Sequence, residues 1–124
     1  MKNVFTGVLI LNLIVEFGAA FALISASLGG VGVEDPMSAT VWSRSYGFGA
    51  LAIGSAVIWI WPHRDNYAVV STVLGMLMVF HIGVTISFGV VGGQLAVGGL
   101  HAVLSVLMVT MYVLRGKWCE KPAG

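Results

Sequence analysis

Charged residues are scarce in this sequence. They make up 9% of the 124 residues, whereas hydrophobic residues make up 58%. A soluble globular domain carries about 25% charged residues, so the composition excludes that class and favours a polytopic membrane protein. The six basic residues form no patch or stripe, and no nucleic-acid partner is expected. The single cysteine, Cys119, excludes an internal disulfide.

Spacings typical of metal centres are also missing. The sequence has three histidines, but none stands in an HxxxH or ExxH arrangement. Glu16, His81 and His101 have side chains of the types that bind divalent metals, yet no spacing groups them, so no metal site is predicted. No catalytic residue is assigned.

Long apolar runs dominate the chain. A membrane-spanning helix needs about 20 apolar residues, and residues 4–28, 39–61, 67–88 and 95–114 meet this requirement. None of the runs alternates in polarity as the strands of a membrane β-barrel do. The predicted fold class is therefore all-α, a polytopic membrane protein in which residues 1–124 form one four-helix transmembrane domain. The first run is too long for a signal peptide and contains Glu16, so it is predicted to be retained.

Two breaks between the runs are well marked. Pro62 cannot continue a helix interior, so the second span is expected to end beside it. The link from Gly89 to Gln94 is rich in glycine, which favours a turn and makes the last two spans a helical hairpin. The first break is expected at Gly29 and Gly30, before a polar loop.

The basic residues predict the orientation. With four spans, all of them except Arg44 fall on one side of the membrane, namely Lys2, Arg64, Arg115, Lys117 and Lys121. Basic residues are enriched in cytoplasmic segments, so both termini are predicted to be cytoplasmic, in the inner or plasma membrane.

Four ionisable residues interrupt the apolar runs: Glu16, Arg44, His81 and His101. Such side chains are costly within a bilayer and usually mark functional sites. At about 1.5 Å per residue, the last three lie roughly 7 to 11 Å below the predicted outer boundary. Glu16 lies deeper, but its side chain and that of Arg44 are long enough to meet.

Smaller polar residues lie one helical turn from three of these groups, on the same helix face. The sequence therefore predicts a polar pocket in the outer half of the bundle, with the site residues Glu16, Arg44, His81, His101, Asn12, Tyr46, Thr85 and Ser105. Pairs of small residues four apart predict close helix packing. They are Gly18 with Ala22, Ala50 with Gly54, Ser71 with Gly75, and Gly98 with Ala102.

Each polar group also has a purely structural interpretation. Glu16 and Arg44 could form a buried pair that fixes helix register. Arg44 could instead extend to lipid phosphate at the outer surface. His81 and His101 could be neutral imidazoles that hydrogen-bond to serine, threonine or backbone groups.

The second span resembles the corresponding helix of small DoxX-like four-helix membrane proteins. The likeness rests on Arg44, Gly47, Leu51 and Gly54, in an R-x-x-G-x-x-x-L-x-x-G arrangement, and on the span count. The resemblance implies a compact four-helix bundle and a link to quinone-associated redox proteins or accessory subunits. It implies no role for Glu16 or the two histidines.

Several functions are compatible with these features. The first is binding of a small or lipidic, quinone-like ligand in the polar pocket, with a redox association. The alternatives are a non-catalytic accessory or assembly subunit, a protein that binds haem b through His81 and His101, and a proton-coupled carrier that uses Glu16 and a histidine. The expected partners are the lipid bilayer and either further copies of this chain or other membrane subunits.

Overall fold

The computed structural model describes residues 1–28, 38–92 and 94–120. Within this part of the chain lie four long helices, α1 (Lys2–Ser27), α2 (Ala39–Ile60), α3 (Tyr67–Val91) and α4 (Leu95–Leu114). Each is long and apolar enough to cross a membrane. The all-α prediction is confirmed, and the chain is a small four-helix membrane protein.

The ends of three helices differ slightly from the prediction. The largest difference is in α3, which continues three residues past Phe88 to Val91. Gly89 does not end this helix, because glycine is well tolerated in membrane helices. The helix ends instead at Gly92, which has a φ of 76° and donates its N–H to the Phe88 carbonyl at 3.0 Å. The predicted loop after Gly29 and Gly30, and Lys121, lie outside the described residues.

The start of α3 is fixed by Asn66. Its side-chain oxygen accepts hydrogen bonds from the backbone N–H groups of Ala68 and Val69, both at 3.1 Å. These bonds satisfy two of the N–H groups that a helix start leaves without helical partners. Pro62 lies in the short 3₁₀ turn Trp61–His63 between α2 and α3, as its missing N–H requires.

The chain divides into two compact units, Met1–Leu9 together with Trp59–Gly124, and Ile10–Ile58. In the first unit, α3 packs against α4. The buried residues of α3 recur every three or four positions: Val70, Leu74, Leu77, His81 and Val84. Those of α4 recur in the same way: His101, Leu104, Ser105, Met108 and Met111. Each histidine is therefore part of the buried face of its helix.

In the second unit, α2 approaches α1 closely at two glycines. A Cβ atom on Gly54 would lie 3.0 Å from the Glu16 Cβ, and one on Gly47 would lie 2.8 Å from Ile24. The close packing predicted for Ala50 and Gly54 is thus confirmed at Gly54, where only glycine fits without displacement.

The other predicted small-residue pairs have different outcomes. Gly98 of α4 packs against α3, since an added Cβ would lie 3.1 Å from the Phe88 Cβ. At Gly18 and Gly75, no atom of the described residues outside the adjoining part of the same helix lies within 4 Å of an added Cβ, so these glycines do not mediate a close approach there.

One end of the first unit brings distant segments of the chain together. Lys2 forms an ion pair with Asp65, and Arg64 donates to the Thr6 hydroxyl at 3.2 Å. The Glu120 N–H donates to the Asp65 carbonyl at 2.7 Å. The chain start, the α2–α3 turn and the segment after α4 therefore meet at this end. The basic residues there share one end, as the orientation prediction requires, and the side of the membrane stays a prediction.

Candidate functional site

The predicted site residues lie in both units. His81, Thr85, His101 and Ser105 belong to the first unit, and Asn12, Glu16, Arg44 and Tyr46 to the second. The side chains of Asn12, Glu16, His81, His101 and Ser105 are buried, and those of Arg44, Tyr46 and Thr85 are half-buried. Five polar side chains are thus buried within apolar helices, and a single pocket formed by all eight residues stays a prediction.

The two histidines of the first unit meet directly. The Nδ1 atoms of His81 and His101 lie 2.9 Å apart, within hydrogen-bonding distance. Their ring centroids are 5.1 Å apart, and the ring planes are inclined by 37°. Both rings are almost completely buried, with 0% and 2% of their surfaces exposed. The contact forms because each residue is part of the face by which α3 and α4 pack together.

This hydrogen bond constrains the protons on both rings. A neutral imidazole carries one N–H, so one ring must donate from Nδ1 while the other accepts at Nδ1. The donor ring then has a lone pair on Nε2, and the acceptor ring has its proton on Nε2. A neutral pair therefore combines one acceptor and one donor at its two Nε2 atoms.

Phe80 packs edge-on against both imidazoles. Its ring centroid lies 5.2 Å from that of His81 and 6.1 Å from that of His101, with interplanar angles of 73° and 70°. Edge-to-face contacts of this kind hold ring orientations. The sequence analysis did not select Phe80, because an aromatic residue in an apolar run gives no signal of such a role.

The two hydroxyl residues near the histidines bond to the backbone. Thr85 Oγ1 donates to the His81 carbonyl, and Ser105 Oγ donates to the His101 carbonyl, both at 2.8 Å. These are bonds to the preceding helical turn, which hydroxyl side chains in helices commonly make. Each hydroxyl therefore directs its proton to its own helix.

A groove lies between α3 and α4, on the side of the histidines that faces the α3–α4 turn. It has a cavity volume of about 290 Å³ and mainly apolar walls, formed by Thr85, Phe88, Gly89, Gln94, Leu95, Gly98, Gly99 and Ala102. Thr85 lies one helical turn from His81, and Ala102 directly follows His101. Of the eight predicted site residues, Thr85 is the one that lines this groove.

The histidine pair does not have the spacing of haem ligands. Two nitrogens on opposite sides of one metal ion lie about 4 Å apart, since each metal–nitrogen bond is about 2 Å long. The two Nδ1 atoms are 2.9 Å apart and bond to each other. In this arrangement the two Nδ1 atoms cannot both bind one iron between the rings, and the haem alternative stays a prediction.

In the second unit, Arg44 binds the last turn of α1. Its Nη2 donates to the Ser27 carbonyl at 2.8 Å, and its Nε donates to the Ser27 hydroxyl at 3.2 Å. A cation at a helix C-terminus satisfies carbonyl groups that have no helical partner and complements the helix dipole. The sequence analysis missed Ser27, because a serine near a predicted helix end is common.

Comparison with known proteins adds no relative. The sequence matches no family model, no curated protein and no solved structure. The four-helix membrane architecture that the DoxX-like resemblance implies is shown by the structure. Membership of that family has no support from these comparisons.

Proposed function

We propose that the protein binds the polar head of a small or lipidic, quinone-like ligand beside His81 and His101. The observation that carries the proposal is the buried hydrogen bond of 2.9 Å between the two Nδ1 atoms. A quinone offers carbonyl oxygens, which accept, and its reduced form offers hydroxyl groups, which also donate. Neutral imidazoles can both donate and accept hydrogen bonds, as the two forms require.

The groove between α3 and α4 supports this ligand class. Ligand sites are typically apolar cavities of about 300 to 1,000 Å³ with a few polar groups, and the groove, at about 290 Å³, is just below the lower limit of this range. Glycines at positions 98 and 99 keep one wall flat, which suits a planar ring. An apolar tail would continue into the surrounding lipid.

The second unit enters the proposal through the sequence. Glu16 and Arg44, with Asn12 and Tyr46, are proposed to belong to the same ligand site because of their predicted depth in the membrane. If so, Glu16→Gln and Arg44→Ala should weaken ligand binding without unfolding the protein. Unchanged binding in both variants would limit the site to the first unit.

Proton carriage is a second candidate, and the histidine pair favours it. A proton that arrives at the Nε2 lone pair of the donor ring makes that ring cationic. Its Nδ1 proton can then cross to the other ring, which releases a proton from its own Nε2. Proton uptake by protein in vesicles, abolished by His81→Leu and by His101→Leu, would distinguish this function from binding alone.

An accessory role, or assembly into a homo-oligomer, is favoured by an exposed pair of small residues on α1. Gly18 and Ala22 lie one turn apart and are both exposed, as in helix faces that associate in membranes. Stable co-purification with other membrane chains would support the accessory role. The proposed orientation has both termini in the cytoplasm. The proposed DoxX-like membership rests on Arg44, Gly47, Leu51 and Gly54.

Mass spectrometry of gently extracted protein tests the ligand proposal. We expect a retained molecule with a quinone or similar oxygenated ring, released when Gly99→Leu fills the groove. Gly83→Leu is the matched control, because Gly83 is an exposed glycine on α3 that does not line the groove. Protein that retains no small molecule at full stability would contradict the proposal.

A further inference from the structure

Arg115 occupies a distinctive position at the end of α4. It directly follows the helix, which ends at Leu114, and is half-buried. Its guanidinium carbon lies 3.7 Å from the ring centroid of Tyr112 and 4.8 Å from that of Tyr67. Tyrosines are enriched at membrane–water interfaces, so these rings place the guanidinium at the level of the lipid head groups.

Neutral groups hold this cation in place. The Arg115 Nε donates to the Ser71 hydroxyl at 2.7 Å, and Nη1 donates to the Tyr112 carbonyl. In the described ranges 1–28, 38–92 and 94–120, no carboxylate lies within 4.0 Å of the guanidinium. A half-buried cation with neutral hydrogen-bond partners is arranged to receive an anion from outside the protein.

Arg64 repeats the arrangement at the same end of the first unit. Its Nε donates to the Trp61 carbonyl at 2.8 Å, its Nη1 donates to Thr6, and its guanidinium carbon lies 4.0 Å from the Trp61 ring centroid. Asp65, the adjacent carboxylate, is paired with Lys2. Both arginines are thus oriented by aromatic, hydroxyl and carbonyl groups.

We propose that Arg115 binds the phosphate group of an anionic phospholipid, and that Arg64, which is held in the same way, binds a second one. The guanidinium fork matches phosphate oxygens, and the aromatic rings fix its orientation before the lipid arrives. The depth of Arg115 at the end of a span selects a lipid head group over free phosphate. This site lies at the end of the first unit where Lys2 pairs with Asp65, apart from the groove that Gln94 lines.

Lipid titration of the purified full-length protein in neutral detergent tests this site. Affinity is measured as the shift of the unfolding midpoint with added phosphatidylglycerol, phosphatidylcholine or inorganic phosphate. We expect phosphatidylglycerol to stabilise the wild type most. Arg115→Gln should weaken its binding about tenfold or more, because it removes charge-assisted hydrogen bonds to the phosphate as well as the charge. Arg64→Gln should also weaken the binding of phosphatidylglycerol.

Lys117→Gln is the matched control, because it removes the same charge from an exposed side chain two residues away. It should weaken the binding about fivefold at most, the factor for one basic residue near a membrane surface. An equal loss of phosphatidylglycerol affinity in Arg115→Gln and Lys117→Gln would overturn the proposal in favour of diffuse surface charge. An equal response to inorganic phosphate would overturn the assignment to a lipid.

If Arg115→Gln does not fold, Arg115→Lys tests whether the guanidinium group recognises the phosphate. It keeps the charge but loses the planar fork that stacks between the two tyrosines. We expect weaker phosphatidylglycerol binding than in the wild type. Wild-type affinity in this variant would overturn the proposed recognition by the fork.

Discussion

The Nδ1 atoms of His81 and His101 lie 2.9 Å apart, so that two buried polar residues on adjacent helices share one hydrogen bond. Each ring thereby gains a polar partner at a depth where water is scarce. The bond also makes the two rings a unit, because the proton position on one determines that on the other. Removing either ring should consequently affect the other.

A double-mutant cycle measures this coupling. We expect His81→Leu and His101→Leu each to lower the free energy of unfolding, because each leaves the remaining Nδ1 without this bond. The double variant should lose less than the sum of the two. The coupling should be about 0.6 to 2 kcal/mol, the range for hydrogen bonds between membrane helices. Additive losses, measured by unfolding in mixed micelles, would mean that the bond contributes nothing.

The contact between Gly54 and Glu16 makes a second prediction. Gly54→Ala would place a methyl group 3.0 Å from the Glu16 Cβ and from the Phe17 ring. The helices must then separate, at a cost of about 1 to 3 kcal/mol in the free energy of unfolding.

Gly49→Ala is the control for this change, because no atom of the described residues outside the adjoining part of α2 lies within 4 Å of its added Cβ. Gly49 lies on the same helix as Gly54. Gly49→Ala should leave the free energy of unfolding unchanged or raise it by up to about 1 kcal/mol, since alanine favours helix formation. Equal effects of the two substitutions on unfolding would refute the close-packing explanation.

The elements of the fold follow from the sequence better than their ends do. Apolar length alone predicts the four helices, because the bilayer requires about 20 residues per span. The end of α3 was misplaced because glycine both ends helices and is tolerated within membrane helices. Gly89 and Gly92 look alike in sequence, and the positive φ of Gly92 becomes known only from the backbone.

The site was predictable as a set of residue types and less so as a set of contacts. The polarity of His81 and His101 marks them, whereas their direct bond depends on the rotation of α3 against α4. The hydroxyls of Thr85 and Ser105 turn to their own helices, which one-dimensional spacing does not reveal. For Arg44, the bonds to Ser27 depend on how α1 ends.

The bonds between Arg44 and Ser27 predict local protection of α1. Arg44→Gln removes both donors and should speed hydrogen exchange in the last turn of the helix, at a cost of about 1 kcal/mol. Ser27→Ala should have a smaller effect, because the 2.8 Å bond to the Ser27 carbonyl survives. Exchange rates that stay unchanged in Arg44→Gln would show that the last turn does not depend on this residue.

Cys119 predicts a pH-dependent reactivity outside the membrane spans. Burial, with a further contribution from Asp65, raises the pKa of the Cys119 thiol above its ordinary value. Maleimide labelling should therefore be slow at neutral pH and keep rising beyond pH of about 8.5, where an ordinary thiol is half ionised.

The same shift of the thiol pKa affects stability. The protonated thiol is favoured in the folded state, so its contribution to stability is complete below the ordinary thiol pKa. It is lost as the pH rises through the raised value. Cys119→Ser should abolish both the labelling and this pH dependence of the stability. A labelling rate that levels off below pH of about 8.5 would contradict the raised pKa of the thiol.

Titration of a short-tailed benzoquinone into the purified protein tests the central claim most directly. The account predicts saturable binding by the wild type. His81→Leu and Gly99→Leu should each weaken the binding about tenfold or more, which is a loss of at least about 1.4 kcal/mol in binding free energy. Gly99→Leu leaves both histidines in place, and Gly83→Leu should bind like the wild type. Absence of saturable binding, or equal affinity in the wild type and in Gly99→Leu, would contradict the account.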